Sequence, residues 1–281
     1  MDISGALRVP AGKSVVTTMR IALCIEYDGT DFCGWQSQKD GVRTVQGTLE
    51  AALSKVADHP VKTVCAGRTD TGVHATGQVV HFDSTVARDM RAWTLGTNAN
   101  LPRDISVLWA QPVADDFHAR FSARARHYRY VILNRTVRAA LLRDRASWHH
   151  KALDITRMNS AARHLHGTHD FTAYRAQQCQ SKSPVRELRR LEITRHGDYV
   201  FIDVVANAFL HHMVRNLAGV LMEIGQGDRD PGWARDVLEG RDRQLGGVTA
   251  PPQGLYLIAV EYPDAFGLPH ESAFGWITPS E

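Results

Sequence analysis

Cys65-Ala66-Gly67-Arg68-Thr69-Asp70-Thr71-Gly72-Val73-His74-Ala75 reads as a polar loop between two β-type runs, residues 61–65 and Gln78-Val79-Val80-His81-Phe82. Gly67, Gly72 and Gly77 let such a loop turn sharply and let another backbone or a ligand come close. At its centre stand one carboxylate, Asp70, and one guanidinium, Arg68. Held between two strands, those charges gain fixed positions, which suits a catalytic group better than a solvated pair. Taken alone, Arg68-Thr69-Asp70 between glycines reads first as an ordinary turn.

Reading outward from the loop gives the fold. Upstream, residues 20–28 alternate as a strand and stop at Asp28-Gly29, a turn signal. Residues 44–57 put Val45, Leu49, Ala52, Leu53 and Val56 on one helical face, with Thr44 as N-cap. The loop's own strands fall at 62–66 and 78–83, and a helix at about 87–95 precedes a strand at 105–112. This order, β-α-β-β-α-β, is the ferredoxin-like split unit.

The order recurs downstream. A strand at 128–133 is followed by a helix that Asp154 caps and that runs to Leu165. Strands at 188–194 and 199–205 join at His196-Gly197-Asp198. A helix over 209–224 stops at Gly225, Asp230-Pro231 opens another, and a strand at 257–262 closes the chain. The expected fold class is α/β (α+β), built from two such halves with antiparallel sheets. The expected division is a polar tail at 1–19, an N-terminal domain at 20–115 carrying the Asp70 loop, a C-terminal domain at 116–265 and a tail at 266–281.

The 281 residues, 43% apolar and 22% charged, have the composition of a soluble globular protein. A net charge of +3 is too small to argue for nucleic acid in bulk, so the position of the arginines has to carry that argument. No run reaches the roughly 18 apolar residues of a membrane span, and residues 1–19 lack a secretory apolar region. Met1 and Met19 both offer a start, and the expected location is cytoplasmic. Cys24, Cys33, Cys65 and Cys179 include no C-x-x-C pair and read as free, mostly buried thiols. The histidines, His149, His150, His164, His166 and His169 among them, match no metal-ligand pattern, so no metal is expected.

Between His118 and Arg145 eight arginines (Arg120, Arg124, Arg126, Arg129, Arg135, Arg138, Arg143 and Arg145) face one acid, Asp144. Phe121, His127, Tyr128 and Tyr130 are interleaved with them, the mixture that phosphate-neutralising, base-stacking surfaces use. Strand alternation sends Tyr128 and Tyr130 to one face and Arg129 to the other. In the helix at 209–224, Phe209, Met213 and Leu217 form a buried stripe, widened by Leu210, Val214 and Leu221. Arg215 sits in the middle of it. A buried guanidinium requires an acceptor, so Arg215 should have a partner.

The string Gly67-Arg68-Thr69-Asp70-Thr71-Gly72-Val73-His74-Ala75, followed by Gly77-Gln78-Val79-Val80-His81-Phe82, resembles the catalytic segment of the TruA family of tRNA pseudouridine synthases. The resemblance extends over about residues 20–264 in four separated motifs. It implies two α/β halves whose sheets floor a central basic cleft, a tRNA partner modified at uridines 38, 39 and 40 of the anticodon arm, a homodimer, and no cofactor. Asp70 then takes the place of the essential catalytic residue, as nucleophile or base. The segment 116–130 resembles the family motif whose tyrosine stacks on the target base, which falls on Tyr128. His127 stands where that motif calls for a firmly basic side chain. His211-His212-Met213-Val214-Arg215-Asn216 matches the motif whose arginine pairs with the catalytic carboxylate, here Arg215 with Asp70. Leu255 falls on the apolar residue that lines the pocket beneath the base. Arg175 and Lys182, in the donor-rich loop 171–184, are expected to face RNA, together with Arg126 and Arg129.

The chemistry implied is a redox-neutral exchange of an N1–C1′ bond for a C5–C1′ bond. It needs an ionised carboxylate near the sugar, a stacking ring and a closed pocket. Burial raises a carboxyl pKa, whereas a cation within about 4–6 Å lowers it by roughly 1–3 units, which gives Arg68 or Arg215 a physical task. The target base must leave its stack, and Arg68 is placed to fill the space or grip the phosphate. Tyr128 would hold the freed uracil and assist loss of the C5 proton. Addition to the sugar and glycal formation are both compatible with Asp70. Two other readings are a non-catalytic RNA-binding protein with two such units, and a metal-dependent hydrolase using His74, His81 and Asp70. The first leaves a carboxylate among phosphate-binding groups unexplained, and the second predicts sensitivity to a chelator.

Overall fold

The computed structural model describes residues 18–39 and 41–269. The greater part of both expected tails, 1–17 and 270–281, lies outside the described residues. The chain runs β1 (Met19–Tyr27), α1 (Val45–Ala57), β2 (Val64–Cys65), β3 (His74–Ser84), β4 (Ile105–Pro112), β5 (Ala125–Asn134), β6 (Ser147–His149), α2 (Ile155–Ala162), β7 (Gly167–Asp170), β8 (Val185–His196), β9 (Tyr199–Ala206), α3 (Met213–Gly225), α4 (Trp233–Gly240) and β10 (Leu255–Glu261). All ten strands belong to one sheet with the main order β4-β1-β3-β10-β5-β9-β8-β7, mostly antiparallel. The fold class is therefore the mixed α/β one expected.

Within that sheet, β1–β4 follow the order β4-β1-β3-β2, and β10, β5, β9 and β8 repeat it. The two sets join where β10 pairs in parallel with β3, Tyr256 opposite His74 and Leu257 opposite Ala75. Gly77 permits this approach, since a Cβ there would stand 2.2 Å from the Ile258 carbonyl oxygen. The 115/116 division falls in the 113–124 connection, and the sheet continues across it. Phe266, assigned to the tail, packs edge-on against Phe117 at 5.1 Å.

One sheet face carries the main core. Ile21, Leu23 and Ile25 of β1, Tyr128, Tyr130 and Ile132 of β5, and Leu255 and Leu257 of β10 pack there with the apolar faces of α1, α2 and α3. Thr44 caps α1 by accepting from Gly47 N, and Asp154 caps α2 by accepting from Thr156 N and Arg157 N, as the sequence suggests. Alternation puts Val131, Leu133 and Tyr256 on the opposite face, where smaller clusters form.

Several boundaries differ from expectation, three of them in helices. The helix expected at 87–95 forms around a π-type segment, Ala92–Gly96, built on fully buried Trp93. The helix opened by Asp230-Pro231 starts at Trp233. The helix expected from Phe209 begins at Met213, because His212 adopts φ +61, a left-handed conformation that a helix cannot contain. Cys33, Cys65 and Cys179 are free thiols, with Cys65 buried, Cys179 half-buried and Cys33 exposed, and Cys24 is buried.

Candidate active site

The loop between β2 and β3 is held from several sides. Gln78 forms a pair of bonds with the Gly67 backbone, and Ala66 N donates to Val79 O at 2.8 Å. Thr69 Oγ1 lies 2.8 Å from the buried Tyr27 hydroxyl, and Trp35 N donates to Thr69 O at 3.0 Å. Val73 N closes the turn on Asp70 O at 3.1 Å, and Gly72, at φ +76, supplies the left-handed residue the turn needs. Asp70 is thus a half-buried carboxylate on a backbone with little freedom.

Three side chains from the β9–α3 connection and the first turn of α3 face it. His211 Nε2 lies 3.2 Å from Oδ1, His212 Nε2 3.3 Å from Oδ2, and Arg215 Nη1 3.6 Å from Oδ2. The N-terminal end of α3 adds its own partial positive charge. The Arg215 guanidinium is largely buried and donates Nε to Ala250 O at 2.8 Å, while Ala250 N donates to Arg215 O. Burial holds the His212 imidazole below its ordinary pKa, against the opposing pull of the Asp70 charge. His211 is anchored by its backbone: Ala176 N donates to His211 O at 2.9 Å, and His211 N reaches Cys179 Sγ. Residues 171–184 are thereby tied to the site.

Tyr128 forms the apolar wall. Its ring is buried and meets Phe209 edge-on, with centroids 4.9 Å apart and planes at 79°. A Cβ on Gly67 would be 3.4 Å from the Tyr128 hydroxyl, which puts that hydroxyl beside the Asp70 loop. Burial raises the phenol pKa far above its ordinary value, so the group stays protonated. Leu255, at the start of β10, is buried in the same cluster as Tyr128.

The structure therefore brings Arg215 to the half-buried Asp70 carboxylate and sets the Tyr128 hydroxyl beside its loop, while Leu255 lies in the main core that Tyr128 shares. Arg68 is exposed two residues from Asp70 and forms no ion pair among the described residues. Arg175 is half-exposed and Lys182 exposed, both in the loop latched to His211. Arg126 and Arg129, expected to face RNA, are instead buried and engaged within the protein. Arg126 donates to the carbonyls of Ala66, Arg120 and Asn207, and Arg129 pairs with Asp203 at 2.7 Å. The reason lies in packing, since β5 is a central strand with neighbours on both sides.

His211 and His212 are the additions that sequence reasoning did not assign. With Asp70 they form the one group among the described residues whose nitrogen and oxygen atoms, within 4.8 Å of one another, could share a metal ion. His74 and His81 do not join Asp70: Gly29 N donates to His74 Nδ1, and Ala119 N to His81 Nδ1. Among the described residues, no helix is long and apolar enough to cross a membrane.

Comparison with known proteins points the same way as this geometry. A family model described as tRNA pseudouridine synthase matches residues 23–122 and 161–263. A tRNA pseudouridine synthase A from Alcanivorax borkumensis is 61% identical over 252 residues, covering 90% of this chain and 94% of the relative. One from Pseudomonas aeruginosa is 59% identical over 259 residues, covering 92% and 91%. One from Nitrosococcus oceani is 59% identical over 254 residues, covering 90% and 98%.

Proposed function

The chain belongs to the tRNA pseudouridine synthase family, and on that premise we propose that it isomerises uridines 38, 39 and 40 of the tRNA anticodon arm to pseudouridine. The observation that carries this reading is the Asp70 carboxylate, on a loop held by backbone hydrogen bonds and faced by Arg215, His211 and His212 beside the buried Tyr128 ring. An RNA-binding protein without chemistry has no use for a carboxylate prepared in this way.

Asp70 starts the reaction at the ribose, and the N1–C1′ bond breaks. The freed uracil turns against Tyr128, over Leu255, until C5 faces C1′. A C5–C1′ bond then forms, the C5 proton departs, and N1 ends protonated, so atoms and electrons balance without an oxidant or reductant. Arg215 keeps a cation beside Asp70 while the pocket is closed to water, and His211 and His212 hold the carboxylate's orientation. Arg68, exposed next to Asp70, fills the space left by the flipped nucleotide or grips its phosphate. Arg175 and Lys182 contact RNA from the loop tied to His211. The protein acts as a cytoplasmic homodimer in which each tRNA touches both subunits.

The test uses unmodified tRNA transcript tritiated at uracil C5, with a chelator present. Wild-type protein should release tritium from the anticodon arm, and Asp70→Asn should bind tRNA and release none. Wild-type protein that binds tRNA without release would sink the proposal.

A further inference from the structure

The connection between β4 and β5 carries a feature outside the Asp70 pocket. Phe117 of this connection is fully buried, whereas Phe121 is 75% exposed. It does not cover a core. It lies nearly parallel on the His118 imidazole, with centroids 4.3 Å apart and planes at 29°. That imidazole is fixed in turn, since Nδ1 accepts from both Arg120 N and Phe121 N at 3.2 Å. His118 N donates to Ser122 Oγ, and His118 also packs on His81 at 4.9 Å. The Arg120 guanidinium carbon lies 5.5 Å from the Phe121 ring centre, and Arg124 is exposed three residues on.

We propose that Phe121, supported by His118 and flanked by Arg120 and Arg124, is a stacking platform for an unstacked nucleobase of the tRNA. A lone exposed phenylalanine is unremarkable on a protein surface. This one is held at a set angle by a ring that is itself bonded to backbone, so stacking a base on it orders little further. Arginines beside it supply charge for the adjoining phosphates. Burial first, then the neighbouring Arg20 and Arg120, keep the His118 imidazole below its ordinary pKa, so the neutral imidazole, whose Nδ1 lone pair accepts those two bonds, is the form that fixes the loop.

The platform is mechanically joined to the reaction centre. Arg126 bonds both the Arg120 carbonyl and the Ala66 carbonyl, and Ala66 leads into Asp70 four residues later. A base seated on Phe121 is therefore registered against the segment that carries the carboxylate. It is a positioning contact, separate from the Tyr128 ring.

The proposal rests on tRNA being the substrate, and the experiment separates the two. Binding of labelled unmodified transcript and tritium release are measured for wild type, Phe121→Ala, Phe121→Trp and Arg120→Ala. Phe121→Ala should weaken binding by roughly 5- to 100-fold, with the loss in KM rather than kcat and an unchanged salt slope. Phe121→Trp should bind like wild type, with its added indole fluorescence quenched by tRNA. Arg120→Ala should reduce the salt slope by about one. Phe121→Ala binding as tightly as wild type, or Phe121→Trp binding as weakly as Phe121→Ala, would overturn the platform. So would a change in oligomeric state on Phe121→Ala with tRNA affinity intact. Wild type that binds but releases no tritium removes the synthase reading and leaves the binding comparison valid.

Discussion

Arg215 approaches Asp70 with Nη1, 3.6 Å from Oδ2, while its Nε donates to the Ala250 carbonyl. The guanidinium is thus aimed by the segment that leads into β10. A lysine keeps the charge and cannot serve both partners. Arg215→Lys should lower tritium release by roughly 10- to 100-fold, the scale of a lost charge-assisted contact, with little change in thermal midpoint. Activity within about twofold of wild type would leave charge alone as the requirement.

His212 combines a left-handed backbone with a side chain on Asp70. Glycine relieves the backbone and removes the imidazole. His212→Gly should keep the thermal midpoint while slowing isomerisation, and His212→Ala should be less stable than His212→Gly by about 1 kcal/mol. Equal turnover in His212→Gly and wild type would take the imidazole out of the reaction.

His81 should impose a pH limit on stability. Burial first, then His118 and Arg20, bring its imidazole down to about 4, and its Nδ1 accepts from Ala119 N at 3.1 Å. The folded state favours the neutral ring, so its contribution is complete above the unfolded value near 6.5. As pH falls from there toward 4, up to about 3 kcal/mol is lost. His81→Asn keeps an acceptor that does not titrate. Urea midpoints between pH 7.5 and 4.5 should fall less steeply for this variant, with a residual slope from His118, His149 and His212, whose values are also lowered. Parallel profiles would exclude His81.

Arg129 should prove structural. Its pair with Asp203 is buried on the sheet face opposite Tyr128, and Phe201 lies 5.2 Å from the guanidinium carbon. Arg129→Ala leaves Asp203 buried and unpaired and should cost about 3–5 kcal/mol of stability. The salt dependence of tRNA binding, measured below the unfolding transition, should not change. A slope reduced by about one would return Arg129 to the RNA.

The strands beside the Asp70 loop were legible because alternation and glycine punctuation agree, and the helix caps at Thr44 and Asp154 because their chemistry is local. Arg215 was legible as a charge that needed an acceptor. His211 and His212 were not, since their placement depends on a left-handed residue that helical periodicity overrides. Arg126 and Arg129 misled for the converse reason: composition counts arginines, and only pairing between strands shows which are spent inside. The short β2 was overestimated because a run of β-prone residues does not reveal that its partner strand extends much further.

The join between β3 and β10 has a consequence for synthesis of the protein. Tyr256 lies opposite His74, four residues beyond Asp70, and their rings stack at 4.7 Å. The Ala250 carbonyl that aims Arg215 belongs to the same late segment. A ribosome has thus passed residue 256 before the late segment can aim Arg215 and back the strand that follows the Asp70 loop. A nascent chain or a product of premature termination that ends between residues 145 and 250 carries the arginine-rich segment without the strand that completes the centre. The centre reaches its final geometry only after this late segment has been made.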